Sequence, residues 1–220
     1  MTHMLAFFEA LFQDMPPLSF DFRGKRKDKI VIYSDASIDP DRNGLGFIVF
    51  DQETNESWWC ASPCPQELME KWAEPGENPW LMRDLVGEKD KDTHINAMEL
   101  LGLLAVVWTL GPEVLTGRDV LMFCDNTAAM SATVHVYARS PNLAAFSNTL
   151  HLALATLRCN LWVEWVPSDA NCADVPSRPQ GPEALLFYEK LGCKQWQGGM
   201  RFPTIGQIQT TRIGDVCQQR

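Results

Sequence analysis

The sequence lacks the features of a secreted or membrane-spanning protein. Its seven cysteines are odd in number and scattered, which excludes a regular disulfide framework and predicts a reducing, intracellular compartment. No uninterrupted apolar run is long enough to cross a bilayer, so no membrane partner is expected. The apolar beginning of the chain carries Glu9 and Asp14 and no basic leader, which is atypical of a secretory signal.

A structural zinc site is also not expected. Cys60 and Cys64 have the spacing of a ligand pair, but no second pair of Cys or His residues follows at the distance of a zinc finger.

Positive charge is scarce as well: 19 Lys and Arg stand against 28 Asp and Glu, a net charge of −9. Such a balance by itself argues against a nucleic-acid partner. Between Asp51 and Asp92, however, eleven acids and four bases account for −7, which leaves −2 for the rest of the chain. The acidity is therefore local and weighs little against a nucleic-acid substrate.

The length of 220 residues and the 45% hydrophobic content fit one domain with appendages. Residues 1–28 read as a leader and a basic linker, and residues 29–178 as the main domain. Within that domain, residues 61–93 form an acidic, Trp-rich insertion containing Trp72 and Trp80. Residues 179–220, rich in Gly, Gln and Pro, are predicted to be a C-terminal extension.

Five strand-like runs occur in the main domain, at 29–35, 46–50, 56–60, 119–125 and 161–166. Helical patterns occupy 95–110, 127–137 and 142–157, with a short one near Asp174, and Gly111-Pro112 is expected to end the first. The order predicts an α/β fold: three antiparallel strands, then two parallel strands added by helical crossovers, flanked by helices. Trp162 and Trp165 alternate with valines on the last strand and are predicted to be core.

Four acidic residues lie next to packed apolar runs, with no cationic partner nearby in the sequence: Asp35, Glu99, Asp125 and Asp174. An ionised carboxylate in such surroundings is unfavourable unless it is paired or holds a metal ion. If the first and fourth strands are neighbours, the four can meet and form a carboxylate cage for hard divalent cations.

Each residue also has a simpler interpretation. Asp35 could cap a turn, Glu99 could be a surface residue, Asp125 and Asn126 could cap the next helix, and Asp174 could be a loop acid. Asn96 could cap its helix or contact a 2′-hydroxyl. Ser177 and Arg178 could contact phosphate or join an ion pair. His94, beside the helix start, is better explained as a capping or surface residue than as a general base.

Four motifs together resemble the ribonuclease H family, in particular the ribonuclease H domain of retroelement reverse transcriptases of the DIRS type and its relatives. They are Asp35-Ala-Ser37 followed by Gly44-Leu-Gly-Phe47, His94-Ile-Asn96-Ala-Met-Glu99, Cys124-Asp125-Asn126, and Trp165-Val-Pro-Ser-Asp-Ala-Asn171-Cys-Ala-Asp174-Val-Pro-Ser177-Arg178. Any one motif is weak, and the order and spacing carry the resemblance over residues 29–178.

The resemblance implies a ribonuclease H-like fold and a hydrolase that cuts the RNA strand of RNA/DNA hybrids with two Mg²⁺ ions, for which Mn²⁺ could substitute. Asp35 would bridge both ions, Asp174 would help to hold the ion that carries the attacking water, and Glu99 and Asp125 would hold the other. The substrate-binding residues it implies are Ser37, Asn96, Asn126, Ser177 and Arg178. It also implies a polymerase domain as a partner, and it does not indicate an oligomeric state.

Two features depart from the family pattern. No histidine lies in the loop before Asp174, where many members place one, so slower turnover is expected. Residues 138–160 carry only Arg139 and Arg158 as bases, so hybrid affinity is expected to need another domain.

Two other functions stay open. One is a catalytically weak or inactive domain of the same fold that serves as a structural or nucleic-acid-binding module. The other is a DNA transposase or exonuclease with the same fold, although its acids would occupy different motifs.

Overall fold

The structure is a computed structural model that describes residues 29–39, 42–68, 89–138 and 141–209. Within 89–138, side chains are described from residue 95 onward. The predictions for the leader 1–28, for most of the 61–93 insertion with Trp72 and Trp80, for the His94 side chain and for residues 210–220 lie outside the described residues.

A single mixed sheet forms the centre of the described part, in the order β5-β4-β1-β2-β3-β6. Its strands are β1 (Ile30–Asp39), β2 (Arg42–Asp51), β3 (Glu56–Pro63), β4 (Asp119–Cys124), β5 (Asn160–Trp165) and β6 (Lys194–Gln195). Strands β1, β2 and β3 are antiparallel neighbours, while β4 pairs parallel with β1 and β5 pairs parallel with β4. The predicted mixed sheet of three antiparallel and two parallel strands is confirmed.

Three details of the sheet differ from the sequence prediction. Strand β1 continues past Asp35 to Asp39, so Asp35 lies inside the strand and does not end it. Strand β6 was not predicted, because two residues carry no periodic pattern; it pairs with Trp58 and Trp59 of β3. β5 is an edge strand, and its side chains beyond Leu161 are largely uncovered.

The prediction that Trp162 and Trp165 are core residues is wrong. Trp162 is 67% exposed and Trp165 is 46% exposed. Alternation places Leu161 against the helix-covered core, so Trp162 points to the opposite face of an edge strand, where no core cluster includes it.

The flanking helices are α1 (Lys89–Leu115), α2 (Thr127–His135), α3 (Pro141–Leu157), α4 (Asp174–Ser177), α5 (Pro182–Leu191) and α6 (Ile205–Gln209), with a 3₁₀ turn at Ser168–Ala170. Helix α1 begins at Lys89, whereas the sequence predicted a start at Ile95. The prediction missed the first turns because their residues are polar and show no apolar periodicity. Gly111, with φ 59° and ψ −166°, interrupts it as predicted, although helix resumes up to Leu115.

Helix α1 is the central core helix. Its most apolar stretch within Ile95–Leu115 has a mean hydropathy of 1.6 and a length that could cross a membrane, but 83% of that stretch is buried inside the domain. It packs with α3 on one face of the sheet, where Leu100, Leu104 and Phe146 are fully buried. Burial of this kind is the main stabilising term in a domain of this size.

The opposite face carries a smaller cluster. Tyr188 of α5 stacks on Trp59 of β3 at 3.9 Å between ring centroids, beside Ile48 and Ala184. Helix α5 and strand β6, which fall within the predicted C-terminal extension, thus pack onto the sheet.

Candidate functional site

The four predicted acids line one cleft. Its volume is about 370 Å³, and its walls include Asp35, Glu99, Asp125, Asp174 and Arg178. The remaining lining residues are Ala36, Ser37, Ile38, Ile95, Asn126 and Ser168. Polar and charged groups from four separate segments of the chain therefore converge at one place.

The parallel pairing of β1 with β4 brings the first two acids together. Tyr33 of β1 is level with Phe123 of β4, so Asp35 and Asp125, each two residues further on, come to the same end of the sheet. The two carboxylates repel each other. Burial is the main cause that raises the pKa of Asp35, and the negative charge of Asp125 raises it further.

Glu99 reaches the cleft from α1. Potential ligand atoms of Glu99, Cys124 and Asp125 lie within 4.8 Å of one another. The Cys124 thiol donates to Glu99 Oε2 at 3.9 Å, and burial raises the pKa of that thiol well above its ordinary value. Hard divalent cations prefer oxygen ligands, so the carboxylates are the fitting ligands and Cys124 supports Glu99 as a hydrogen-bond donor.

Two of the acids are buried with their charge poorly compensated. Asp35 is 5% exposed; its burial, together with the negative charges of Asp125 and Asp174, raises its pKa to about 7, although a Ser177 hydrogen bond and the Arg178 charge oppose the rise. Burial, and then the charges of Asp35 and Asp125, raise the pKa of Glu99 well above its usual range. Crowded carboxylates with raised pKa values form a site that bound cations would relieve.

Asp174 differs from the other three because a cation already holds it. It begins the four-residue helix α4, and Arg178 follows that helix. Arg178 Nε donates to both carboxylate oxygens of Asp174 at 2.9 Å, and Nη2 donates to Oδ1 at 2.7 Å. The statement that no cationic partner lies nearby in the sequence is therefore wrong for Asp174, since Arg178 follows it by four positions. Of the two interpretations of Arg178, the structure shows the ion pair.

Helix α4 is fixed against β2 by close backbone contact. A Cβ atom at Gly44 would collide with the Ser177 carbonyl, and one at Gly46 would collide with the Ser177 amide and with Pro176. The Ser37 hydroxyl donates to the Ser177 carbonyl at 2.6 Å, and the Ser177 hydroxyl donates to the Asp174 carbonyl at 3.0 Å. The two glycines of the first motif thus allow the last motif to approach the sheet.

The same contacts bear on two predicted substrate residues. Ser177 is fully buried and Ser37 is 9% exposed. The Ser177 hydroxyl contacts the Asp174 carbonyl, and substrate contact by Ser177 stays a prediction. Ser37 borders the cleft, and its hydroxyl is engaged by the Ser177 carbonyl.

Asn96 and Asn126 contact each other beside the cleft. Asn126 caps α2, which was one of its alternatives, because its Oδ1 accepts from the amides of Ala128 and Ala129 at 3.0 and 2.9 Å. Its Nδ2 donates to Asn96 Oδ1 at 2.7 Å. Asn96 lies within α1, so the alternative in which it caps that helix is wrong. Asn126 lines the cleft, and substrate contact by both residues stays a prediction.

Asn171 is a residue of the site that the sequence analysis did not single out. It is 3% exposed, and its Nδ2 donates to the Ser34 carbonyl at 3.1 Å and to Asp35 Oδ1 at 3.3 Å. Its Oδ1 accepts from the Ala173 amide at 3.2 Å. It therefore ties the segment that carries Asp174 to the strand that carries Asp35. A polar residue three positions before a candidate ligand was the available signal.

Trp165, which the sequence predicted only as a core residue, also contributes to the site. Its indole N–H donates to the Asp125 carbonyl at 3.0 Å, although its ring is nearly half exposed. It steadies the backbone of Asp125 from the neighbouring strand.

Comparisons with known proteins give the following similarities. No protein-family model matches the chain, and no curated protein matches it. Among solved structures, it is similar to the N-terminal ribonuclease H domain of a Mycobacterium tuberculosis protein, solved as a fusion with maltose-binding protein (15% identity, 76% of this chain and 100% of that chain, TM-score 0.46). It is also similar to ribonuclease H1 of the halophilic archaeon Halobacterium salinarum (12%, 71% and 97%, 0.46) and to LC11 ribonuclease H1 in complex with an RNA/DNA hybrid (14%, 67% and 92%, 0.42). The superpositions are loose, so the functional case rests on the residues of this chain.

Proposed function

We propose that this chain is a divalent-metal-dependent endoribonuclease that hydrolyses the RNA strand of RNA/DNA hybrids. The observation that carries the proposal is the convergence of Asp35, Glu99, Asp125 and Asp174 on one cleft inside a ribonuclease H-like fold. The order and context of the four motifs support the hybrid as the substrate. A role within a retroelement reverse transcriptase, next to a polymerase domain, is proposed on the motif resemblance alone.

The residues present fit a pair of Mg²⁺ ions. The donor set is four carboxylates, two of them buried with raised pKa values, and oxygen is what Mg²⁺ prefers. Asp35, Glu99 and Asp125 would hold one ion, and Asp35 with Asp174 would hold the other. Bound ions would supply an activated water and would neutralise the scissile phosphate and the leaving oxygen.

The chain itself supplies position. Asn171 orients the Asp35 carboxylate, Trp165 fixes the backbone at Asp125, and Gly44 and Gly46 let the Asp174 helix lie against the sheet. Preorganised ligands of this kind lower the entropic part of the barrier, because the reacting groups need not be gathered.

A second function is favoured by one observation. The pairing of Asp174 with Arg178 neutralises one of the four acids without any metal. A domain that had lost catalysis and bound nucleic acid as a module of a larger assembly could keep such a pair.

Cleavage of an end-labelled RNA/DNA hybrid in Mg²⁺ and in Mn²⁺ separates the two functions. Asp35→Asn and Asp125→Asn are compared with Asp119→Asn, which changes an acid at the other end of β4 whose carboxylate accepts from Asn160. We expect cleavage of the RNA strand that Asp119→Asn retains and that the two cleft variants lose by about a thousandfold or more.

Hybrid binding without cleavage in either metal, by protein shown to be folded, would favour the binding module. Cleavage that persists in both cleft variants would show that this cleft is not the active site.

A further inference from the structure

The contact between Arg178 and Asp174 engages both oxygens of the acid. Three N–H···O contacts of 2.7 to 2.9 Å engage both oxygens of the Asp174 carboxylate. A metal ion at Asp174 would lie close to this guanidinium, and because the two positive charges repel each other, any ion at Asp174 must compete with Arg178.

The other buried acids are held differently. The Asp35 carboxylate accepts from the neutral amide of Asn171, and Glu99 accepts from the Ala36 amide and the Cys124 thiol. These hydrogen-bond partners are neutral, so an ion bound at Asp35 or Glu99 would not have to replace a cationic donor. The cleft therefore contains two acids with neutral partners, Asp35 and Glu99, and one acid, Asp174, that is paired with the cationic side chain of Arg178.

The ion pair between Arg178 and Asp174 is exposed and of a weak class. Asp174 is 40% exposed and Arg178 is 57% exposed, and the pair is an i, i+4 contact, a class of ion pair that is weak in water. Helix α4 is held by its contacts with β2 and by the Ser37–Ser177 hydrogen bond, so the exchange can take place at the arginine side chain while the helix stays in position. The planar guanidinium suits a phosphate as well as it suits a carboxylate.

We propose that Arg178 is an exchangeable counter-cation, which holds Asp174 while no substrate is bound and transfers to a substrate phosphate when Asp174 takes a metal ion. This inference rests on the proposed function, since it takes the phosphate from a bound nucleic acid. It makes metal loading at Asp174 depend on substrate: the second ion binds well only after a phosphate has drawn Arg178 away. An ion bound without substrate would otherwise promote unproductive chemistry at the cleft.

The first test measures Mn²⁺ binding by isothermal titration calorimetry, without nucleic acid, for the full chain and for Arg178→Gln. We expect the affinity for the weaker second ion to rise at least about fivefold in Arg178→Gln, which is the upper end for loss of an exposed pair, because repulsion of the dication is removed as well. Arg178→Lys, which keeps the charge but not the two-pronged contact, should fall between the two. Arg201→Gln removes an exposed arginine elsewhere and should match the unmodified chain.

The second test measures hybrid affinity by fluorescence anisotropy in EDTA, where no cleavage occurs. Asp174→Asn should release Arg178 and tighten hybrid binding several-fold. In the Arg178→Gln background the same change should give a much smaller gain, because a general loss of negative charge acts in both backgrounds whereas release of Arg178 acts in one.

Three results would each overturn the exchange. The first is an equal second-ion affinity in Arg178→Gln and the unmodified protein, and the second is an equal rise of that affinity in Arg201→Gln. The third is an equal effect of Asp174→Asn on hybrid affinity in both backgrounds. Neither measurement needs catalysis. A chain that shows the coupling but cuts no hybrid would therefore refute the proposed nuclease and leave the exchange standing, and the reverse result would do the opposite.

Discussion

Asp35 is one of two side chains in the cleft, with Glu99, whose charge is poorly suited to its surroundings. With a pKa of about 7 in place of its ordinary 3.8, it favours the folded state fully only below about pH 4, where it is protonated in both the folded and unfolded states. As pH rises through 7 that contribution is lost, because the folded protein must then carry a buried, crowded charge. Sites that bind metal commonly accept such instability.

The first prediction follows from this loss of stability at high pH. Asp35→Asn should abolish cleavage and yet raise the free energy of unfolding of the metal-free protein by on the order of 2–4 kcal/mol at pH 8. At pH 4 the gain should vanish. Thermal unfolding in EDTA at both pH values measures this, and a gain independent of pH would contradict the assigned cause.

Asn171 acts through Asp35 and not on the substrate. Asn171→Ala should lower kcat by about ten- to a hundredfold with little change in KM, because hybrid binding is untouched while the Asp35 carboxylate loses its orienting donor. It should also cost about 1–3 kcal/mol, since the buried Ser34 carbonyl loses that donor. Asn160→Ala on the exposed end of β5 is the matched control. A rise in KM alone would show that Asn171 contacts substrate.

At the level of elements, the meeting of α4 with β2 decides whether the cleft exists. The contact is backbone on backbone, so its geometry depends on the absence of side chains at Gly44 and Gly46. The helix itself has four residues and little stability of its own, and it stays in place because the sheet provides a surface for it.

Gly46→Ala should therefore displace α4 and with it Asp174. We expect a loss of about 1–3 kcal/mol from overpacking, and cleavage reduced by about a hundredfold. Gly181→Ala is the matched control, because nothing lies within 4 Å of a Cβ built there. Full activity in folded Gly46→Ala protein would show that the position of Asp174 is not needed.

The elements that could be predicted are those with a strong local pattern. The continuous apolar run of β1 marked a central strand, and the order of strands and helices was enough to give the five main strands their places. The start of α1 and the two-residue β6 could not be predicted, because polar helical turns and isolated bridges carry no periodicity. The prediction for Trp162 was wrong because alternation shows on which face of the strand a side chain lies. It does not show whether another element covers that face of the sheet.

The site shows the same division. The four acids could be identified from local context, and the pairing of β1 with β4 could be inferred to bring Asp35 and Asp125 together. The contacts that hold them could not, because Asn171 and Ser177 meet β1 across about 140 positions of sequence. The ion pair of Arg178 was one of two alternatives that only coordinates could separate.

For the whole molecule, metal binding and folding are linked. Mg²⁺ at about a hundred times its dissociation constant should stabilise the protein by about 2.7 kcal/mol, equivalent to about 5–10 °C in Tm for a domain of this size. The shift should be larger at pH 8 than at pH 5.5, because protons compete for Asp35 and Glu99 at the lower pH. Melting curves with and without Mg²⁺ test this, with Asp35→Asn expected to show little shift; an equal shift in that variant would place the ions elsewhere.

The distance in sequence between Ser37 and Ser177 has a consequence for the order of events during synthesis. Strands β1 to β3 can pair as soon as they leave the ribosome, but the cleft closes only when a hydrogen bond forms across 140 positions. A nascent chain that has reached β5 would already hold most of its hydrophobic core and would still lack one wall of its active site. Under the proposed function, the chain could therefore cut nucleic acid only after its last motif has been translated.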